Sequence, residues 1–186
     1  MGRKKQNEDA KATLRHVFAY GSLIWRPGFD FISARPARIY GLHRSFCVSS
    51  VHWRGSRAQP GLVLGLDKGG ACAGVLYEVA AEDWPQVRHY LRAREQVTMV
   101  YREIAVRAHL PEGGIAPALT FAVDRTHRQY AGAMDLAQQA AIIAAAKGVG
   151  GPNHVYLEET LKALDAHAID DKALRSLLDH VNALRA

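Results

Sequence analysis

The order of its strand-like and helix-like segments is the feature that most constrains how this 186-residue chain can fold. Short apolar runs broken by glycine, which are typical of strands, fill most of the first two thirds. Apolar residues at helical spacing dominate the last third. Strands that precede helices, instead of alternating with them, predict an α+β fold with a helical C-terminal third. No linker divides the chain, so we predict a single domain over 13–186 after a disordered basic tail at 1–12.

The individual strands are predicted from apolar runs that end at glycine or other turn residues. They cover 17–20, 62–66, 72–79, 100–110 and 118–123, together with two strands or one bent strand within 37–51. The runs on either side of Asp67-Lys68-Gly69-Gly70 are expected to pair as a hairpin around that turn.

Helical spacing of apolar residues predicts four helices, at 81–94, at 135–147, from 152 onward and at 172–184. Asp135 is expected to cap the second of them, and Gly148 is expected to end it.

Charge and composition exclude several functional classes. The net charge is +6, but five basic and two acidic residues fall within 1–16, so the body carries too small an excess for a nucleic-acid binder. No apolar run is long enough to span a membrane, and the first residues lack the apolar stretch of a secretory signal. Two cysteines, Cys47 and Cys72, cannot form a disulfide framework. We therefore expect a cytoplasmic protein without a nucleic-acid or membrane partner.

Arginines are concentrated in one part of the chain. Between positions 26 and 57 the only acidic residue is Asp30, and the basic residues are Arg26, Arg35, Arg38, Arg44, Arg54 and Arg57. Such a segment either creates a field that attracts a small anion or consists of scattered surface arginines. The charge pattern alone favours scattered arginines.

The motifs of several common active sites are incomplete. Gly21-Ser22-Leu23-Ile24 lacks the second glycine of G-x-S-x-G, which disfavours Ser22 as a nucleophile. The glycines at 65–74 do not form a phosphate loop, because no G-x-x-x-x-G-K-[ST] is present. The nine histidines form no metal-binding pattern, so no metal site is predicted.

Two segments carry chemical information. Tyr20-Gly21-Ser22-Leu23-Ile24-Trp25 places a tight turn at the end of a strand, where backbone N–H groups can hold an anion or oxyanion; the alternative is a strand end with two core aromatics. Glu95 lies four residues after Leu91, on the apolar face of the first helix if the helix continues that far. Burial there would raise its pKa toward that of a general base. An exposed or arginine-paired Glu95 beyond the helix end is the alternative.

Together these segments resemble the ChaC-like glutathione-specific gamma-glutamylcyclotransferases. The resemblance covers about residues 16–182 in the family's order. Two departures are Ala19 and Val100, where the family commonly has glycine. The matching pieces are 18–25, Arg54-Gly55 with 60–66, Tyr90-Leu91 with Arg94-Glu95, Asp124 with 130–132, and 151–153 with Tyr156-Leu157.

The resemblance implies a fold, a reaction and a site. The implied fold is a gamma-glutamylcyclotransferase-like mixed β-barrel or sheet with flanking helices. The implied reaction releases 5-oxoproline and Cys-Gly from glutathione, with Glu95 as general acid and base and without metal or cofactor. Other gamma-glutamyl amines as substrates, or a non-catalytic binding module of the same fold, are the alternatives, and a monomer is expected. The implied substrate-binding residues are Tyr20, Gly21, Ser22, Leu23, Ile24, Trp25, Arg57, Tyr101, Asn153 and Tyr156, with a core position as the alternative for Tyr156.

Overall fold

The computed structural model describes residues 15–186, so the predicted tail at 1–12 lies outside the described residues. The strands are β1 (His16–Ala19), β2 (Ser33–Ser50), β3 (Gly61–Glu78), β4 (Tyr101–His109), β5 (Ile115–Val123), β6 (Lys147–Gly148) and β7 (Gly151–Pro152). The helices are α1 (Trp84–Glu95), α2 (Leu136–Ala145), α3 (Asn153–Ala166) and α4 (Lys172–Arg185). Strands therefore come first and helices dominate the last third, as the order of apolar patterns predicted.

Five strands close into a barrel in the order β1-β3-β2-β4-β5. The neighbours β1 and β3, β3 and β2, β2 and β4, and β4 and β5 are antiparallel. The barrel closes where β5 runs parallel to β1, with Val17 opposite Leu119. Closure matters for the site because it fixes the end of β1 against the rest of the sheet. The turn that begins at Tyr20 follows directly from this end of β1.

The hairpin predicted around residues 67–70 is wrong. Residues 61–78 form one long strand, β3, which pairs antiparallel with β2 along the full length of both. Gly69 and Gly70 have φ values of +100° and +66° and lie opposite Gly41, whose φ is +84°. Two residues of β3 therefore face one of β2, which is a β-bulge, and glycine supplies the positive φ that the bulge needs. The glycines bend a strand pair without ending it, so the segment within 37–51 is one bent strand.

The helices begin and end close to the predicted positions. Asp135 caps α2 by accepting a hydrogen bond from the Gln138 N–H, and Gln138 Oε1 accepts one from the Asp135 N–H, which completes a capping box. Helix α2 ends at Ala145, two residues early, because Lys147 pairs with Pro152 in a short two-stranded sheet.

The core lies inside the barrel and between the barrel and the helices. Its largest fully buried side chains include Phe18, Phe46, Tyr77, Leu91 and Phe121. Leu91 occupies the face of α1 that its apolar spacing predicted. Because Leu91 is buried, the last turn of α1 is held against the barrel, and this brings Glu95 to the end of β1.

Candidate active site

A cavity of about 650 Å³ opens where the turn after β1 meets the C-terminal end of α1. Its floor is formed by lining residues that are buried, namely Tyr20, Gly21, Leu23, Leu64, Phe121 and Tyr156. Its mouth is formed by lining residues that are exposed, namely Arg26, Trp53, Ala93, Val97 and Gly150. A small polar ligand that enters would leave one end in solvent.

The turn after β1 presents backbone donors to this cavity. The Ile24 N–H donates to the Gly21 carbonyl at 2.9 Å, and the Arg26 N–H donates to the Ser22 carbonyl at 2.9 Å. Within residues 15–186, the N–H groups of Gly21, Ser22 and Leu23 donate to no acceptor. Three successive N–H groups without partners at the edge of a cavity suit a carboxylate or a developing oxyanion.

Glu95 is the last residue of α1 and lines the cavity. Its side chain is 16% exposed, and the Arg94 Nε lies 3.1 Å from its Oε1. Burial raises the pKa of Glu95, and the adjacent Arg94 charge offsets part of that rise. Both alternatives from the sequence therefore hold in part, because the carboxylate is largely buried and also paired.

Arg94 connects Glu95 to the turn after β1. Its Nη2 donates to Ser22 Oγ at 3.1 Å, and its Nη1 donates to Tyr90 Oη at 3.0 Å and to the Arg26 carbonyl. The guanidinium has five N–H donors in a fixed plane, so these bonds fix the position of the turn relative to α1. Arg94 is therefore a positioning residue for both the carboxylate and the backbone donors.

Three tyrosines surround Glu95. Tyr101 Oη donates to the Leu64 carbonyl at 2.7 Å. Burial, with a further contribution from the Glu95 charge, raises the pKa of Tyr20 well above its ordinary value, and burial raises the pKa of Tyr156 to about 12. Burial also raises the pKa of Tyr101 well above its ordinary value. All three phenols are therefore neutral near pH 7. The O–H of Tyr101 is already used by the Leu64 carbonyl, so Tyr20 and Tyr156 are the candidates to donate to a ligand.

The structure brings most of the predicted site residues together. Tyr20, Gly21, Ser22, Leu23, Trp25, Glu95, Tyr101 and Tyr156 all line the cavity. Their roles in binding and catalysis are predictions.

Three predicted site residues do not line this cavity. Ile24 is buried in the core, and its carbonyl accepts a hydrogen bond from Tyr77 Oη at 2.8 Å. Asn153 is fully buried, and its amide bonds both the N–H and the carbonyl of Leu62 at 2.7 Å, which joins α3 to β3. Arg57 lines a separate shallow groove.

Several cavity residues were not predicted as site residues. The matching motifs include Arg94, Tyr90 and Arg54. The spacing of these residues does not show whether their side chains line a pocket or serve only the fold. Arg26 and Trp53 reach the mouth from loops. Only the folded arrangement of the loops shows that their side chains line the cavity.

The part of the chain that the structure describes contains no group of three or more His, Cys, Asp or Glu side chains able to hold a metal ion. None of the helices described in 15–186 has the length and apolarity to cross a bilayer.

Arg44 fixes the position of Tyr20, the residue at which the turn after β1 begins. Its side chain is only 4% exposed and forms an ion pair with Asp171, whose carboxylate also caps α4. The same guanidinium donates to the carbonyls of Tyr20 and Ala73. One buried arginine therefore joins helix α4, strand β3 and Tyr20, the residue at which the turn after β1 begins.

Arg44→Met is expected to lower the free energy of unfolding by about 3 kcal/mol, because it leaves the Asp171 carboxylate and two carbonyls without their buried partner. Urea denaturation measures this loss. Arg35→Met, which breaks an exposed ion pair with Glu112, is the matched control and is expected to have a much smaller effect. Equal losses in the two variants would contradict a structural role for Arg44.

Comparison with known proteins identifies the family. The model of the family described as ChaC-like protein matches residues 15–184. The glutathione-specific gamma-glutamylcyclotransferase of Escherichia coli (strain K12) is 34% identical over 170 residues, which cover 91% of this chain and 74% of that protein. The enzyme of the same name from Schizosaccharomyces pombe (strain 972 / ATCC 24843) is 33% identical over 167 residues, covering 80% of this chain and 81% of that protein. The chain belongs to the ChaC-like family.

A solved structure supports the same assignment. The crystal structure of a gamma-glutamyl cyclotransferase from yeast, described as specific to glutathione, has a TM-score of 0.83 to this chain at 25% sequence identity. The superposition covers 91% of this chain and 96% of the yeast chain. The barrel with its flanking helices is therefore the gamma-glutamylcyclotransferase fold, which confirms the fold prediction.

Proposed function

We propose that this protein cleaves glutathione by cyclising its gamma-glutamyl group, which releases 5-oxoproline and Cys-Gly. The observation that carries the proposal is the largely buried Glu95 carboxylate, with its raised pKa, in the same cavity as three partnerless N–H groups of the turn 21–23. Relatives of known activity that match most of the chain support the same reaction.

The reaction is intramolecular. The α-amine of the gamma-glutamyl group attacks its own γ-carbonyl carbon, and a five-membered ring forms. The bond from that carbon to the cysteine nitrogen then breaks, and this nitrogen takes a proton to become the amine of Cys-Gly. Because nucleophile and electrophile belong to one molecule, the enzyme must hold the folded conformer and move protons.

Glu95 is suited to both proton transfers. The free α-amine is largely an ammonium at pH 7, so it must lose a proton before it can attack. A carboxylate whose pKa is raised by burial accepts that proton more readily than an ordinary glutamate does, and it can then deliver the proton to the leaving nitrogen.

The turn after β1 is suited to bind the negative charge that develops on the oxygen of the attacked carbonyl. Its N–H groups at Gly21, Ser22 and Leu23 can hold the α-carboxylate or the oxygen of the attacked carbonyl. The Ser22 hydroxyl accepts a hydrogen bond from Arg94, and no histidine of the described residues lines the cavity to activate it. The site therefore favours a direct cyclisation over a covalent acyl-serine route.

The proposal also concerns the oligomeric state of the protein and its cellular compartment. We also propose that the protein is a monomer. Cys47 and Cys72 are buried and free, and burial raises the pKa of Cys47 to about 12, which suits a reducing cytoplasm.

Incubation of the purified protein with glutathione is expected to give equal amounts of 5-oxoproline and Cys-Gly, measured by mass spectrometry. Gamma-glutamyl-alanine serves as the comparison substrate. Comparable rates with both would favour a broader gamma-glutamyl amine cyclotransferase. Binding of glutathione without any 5-oxoproline would favour a non-catalytic binding module and contradict the proposal.

A further inference from the structure

Among the residues described in 15–186, two arginines that line the cavity form no ion pair with a carboxylate. Arg26 and Arg54 both line the cavity, and neither forms an ion pair within residues 15–186. The other arginines of the segment 26–57 are used or placed differently. Arg35 and Arg44 form ion pairs, Arg38 is exposed on β2, and Arg57 lies in the separate groove.

Arg54 is held rigidly by the backbone around it. The Gly150 N–H donates to the Trp53 carbonyl at 2.8 Å, and Arg54 Nη1 donates to the Pro152 carbonyl at 3.2 Å. A Cβ on Gly55 would lie 2.0 Å from the Gly61 nitrogen, so the loop backbone packs closely against the start of β3. Four of the five N–H donors of this guanidinium remain for a ligand.

The position of Arg54 relative to the reaction centre is set by one tyrosine ring. The guanidinium carbon lies 5.6 Å from the centroid of the Tyr156 ring. The hydroxyl of the same ring would lie 3.1 Å from a Cβ on Gly21, at the binding turn. The Tyr156 ring therefore contacts both Arg54 and the turn after β1, and a peptide tail of two residues that leads from the turn toward Arg54 spans roughly 7 Å when extended.

The local charge agrees with this placement. Burial lowers the pKa of Arg54, nearby Tyr156 and Glu159 offset part of that change, and the positive charge of Arg26 adds to the lowering. Two guanidinium groups that repel each other beside a cavity are stabilised by an anion placed between them. The Glu95 carboxylate cannot serve, because Arg94 already pairs with it.

We propose that Arg26 and Arg54 bind the C-terminal carboxylate of the leaving peptide and thereby select substrates whose gamma-glutamyl group carries a dipeptide tail. This inference rests on the proposed function. The gamma-glutamyl group would occupy the floor beside Glu95, and the tail would run to the mouth, where a bidentate arginine–carboxylate contact fixes its end. A gamma-glutamyl amine without that carboxylate would lose this contact and keep the chemistry.

The test compares glutathione with its glycine monoethyl ester, in which an uncharged ethyl ester replaces the terminal carboxylate. For the wild-type protein, kcat/KM is expected to be about 10- to 100-fold lower with the ester, the loss typical of one charge-assisted contact. Arg54→Gln is expected to lose a similar factor with glutathione and little with the ester, and Arg26→Gln is expected to act in the same direction. Arg38→Gln, an exposed arginine on the barrel, is the matched control and should leave the ratio between the two substrates unchanged.

Equal kcat/KM for glutathione and the ester in the wild-type protein would overturn the inference, as would an Arg54→Gln variant that loses the same factor with both substrates. The wild-type comparison needs no variant, so a folding defect in Arg54→Gln cannot obscure the result. Absence of 5-oxoproline from every substrate would instead refute the proposed function. In that case the affinities for glutathione and its ester, measured by fluorescence of Trp25 and Trp53 in the cavity, still decide the carboxylate contact: weaker ester binding supports it, and equal binding overturns it.

Discussion

Glu95→Gln is expected to lower kcat by about 10²- to 10⁴-fold and to leave KM nearly unchanged. Glutamine keeps the size of the side chain and one carbonyl acceptor, but it cannot carry a proton from the α-amine to the leaving nitrogen. Steady-state release of 5-oxoproline measures the loss.

Glu103→Gln is the matched control for this variant. Glu103 lies on β4 and pairs with Arg88 and Arg92, away from the cavity. We expect Glu103→Gln to keep the wild-type kcat. Near wild-type activity of Glu95→Gln would refute the mechanism, because within residues 15–186 no other carboxylate lines this cavity.

The raised pKa of Glu95 also predicts how the wild-type protein responds to pH. The ionised form is the base, so kcat/KM is expected to fall as the pH drops through a pKa that lies above the ordinary value of 4.5. The folded state favours the protonated acid, so stability is lost as the pH rises through the same pKa. Above that pKa the ionised carboxylate therefore destabilises the fold, and Glu95→Gln is expected to leave Tm there unchanged or slightly higher.

Gly21→Val is expected to reduce kcat/KM by at least about 10²-fold, because a displaced reacting group can cost that much. A Cβ at this position would lie 3.1 Å from the Tyr156 hydroxyl and 3.7 Å from Leu64, and the two methyl groups of valine extend further into the same space. The turn must then move, and its three free N–H groups move with it. The φ of Gly21 is not in the left-handed region, so steric exclusion rather than backbone strain is the cause.

Ser22→Ala is the comparison for the turn. Its backbone donors are kept, and the change removes one hydrogen bond from Arg94, worth about 0.5–1.5 kcal/mol. Activity is therefore expected to fall much less than in Gly21→Val. An inactive, well-folded Ser22→Ala protein, with a glutamyl adduct on Ser22 in the wild type by mass spectrometry, would instead establish the covalent route.

Local chemistry made much of this fold predictable. Strand and helix periods depend on neighbouring residues, and the same holds for the Asp135 cap, so they could be inferred from short windows of sequence. The apolar spacing that ends at Leu91 also indicated that Glu95 would lie toward the core. The error at residues 67–70 has a local cause as well. Glycines permit a turn and a bulge equally, and only the partner strand decides between them.

Tertiary structure alone decided which polar groups meet. Asn153 and Arg57 have residue types suited to a pocket. The Asn153 amide is instead used in hydrogen bonds to β3, and Arg57 lines a separate groove. Arg94 and Arg54 reach the cavity because a closed barrel brings together segments that are dozens of residues apart in the chain. Residue type and local period thus determined most of the elements and one of the two positions considered for Glu95, whereas its catalytic role was implied by the family resemblance. The placement of the arginines depended on long-range strand pairing, which fixes side-chain directions that no local pattern encodes.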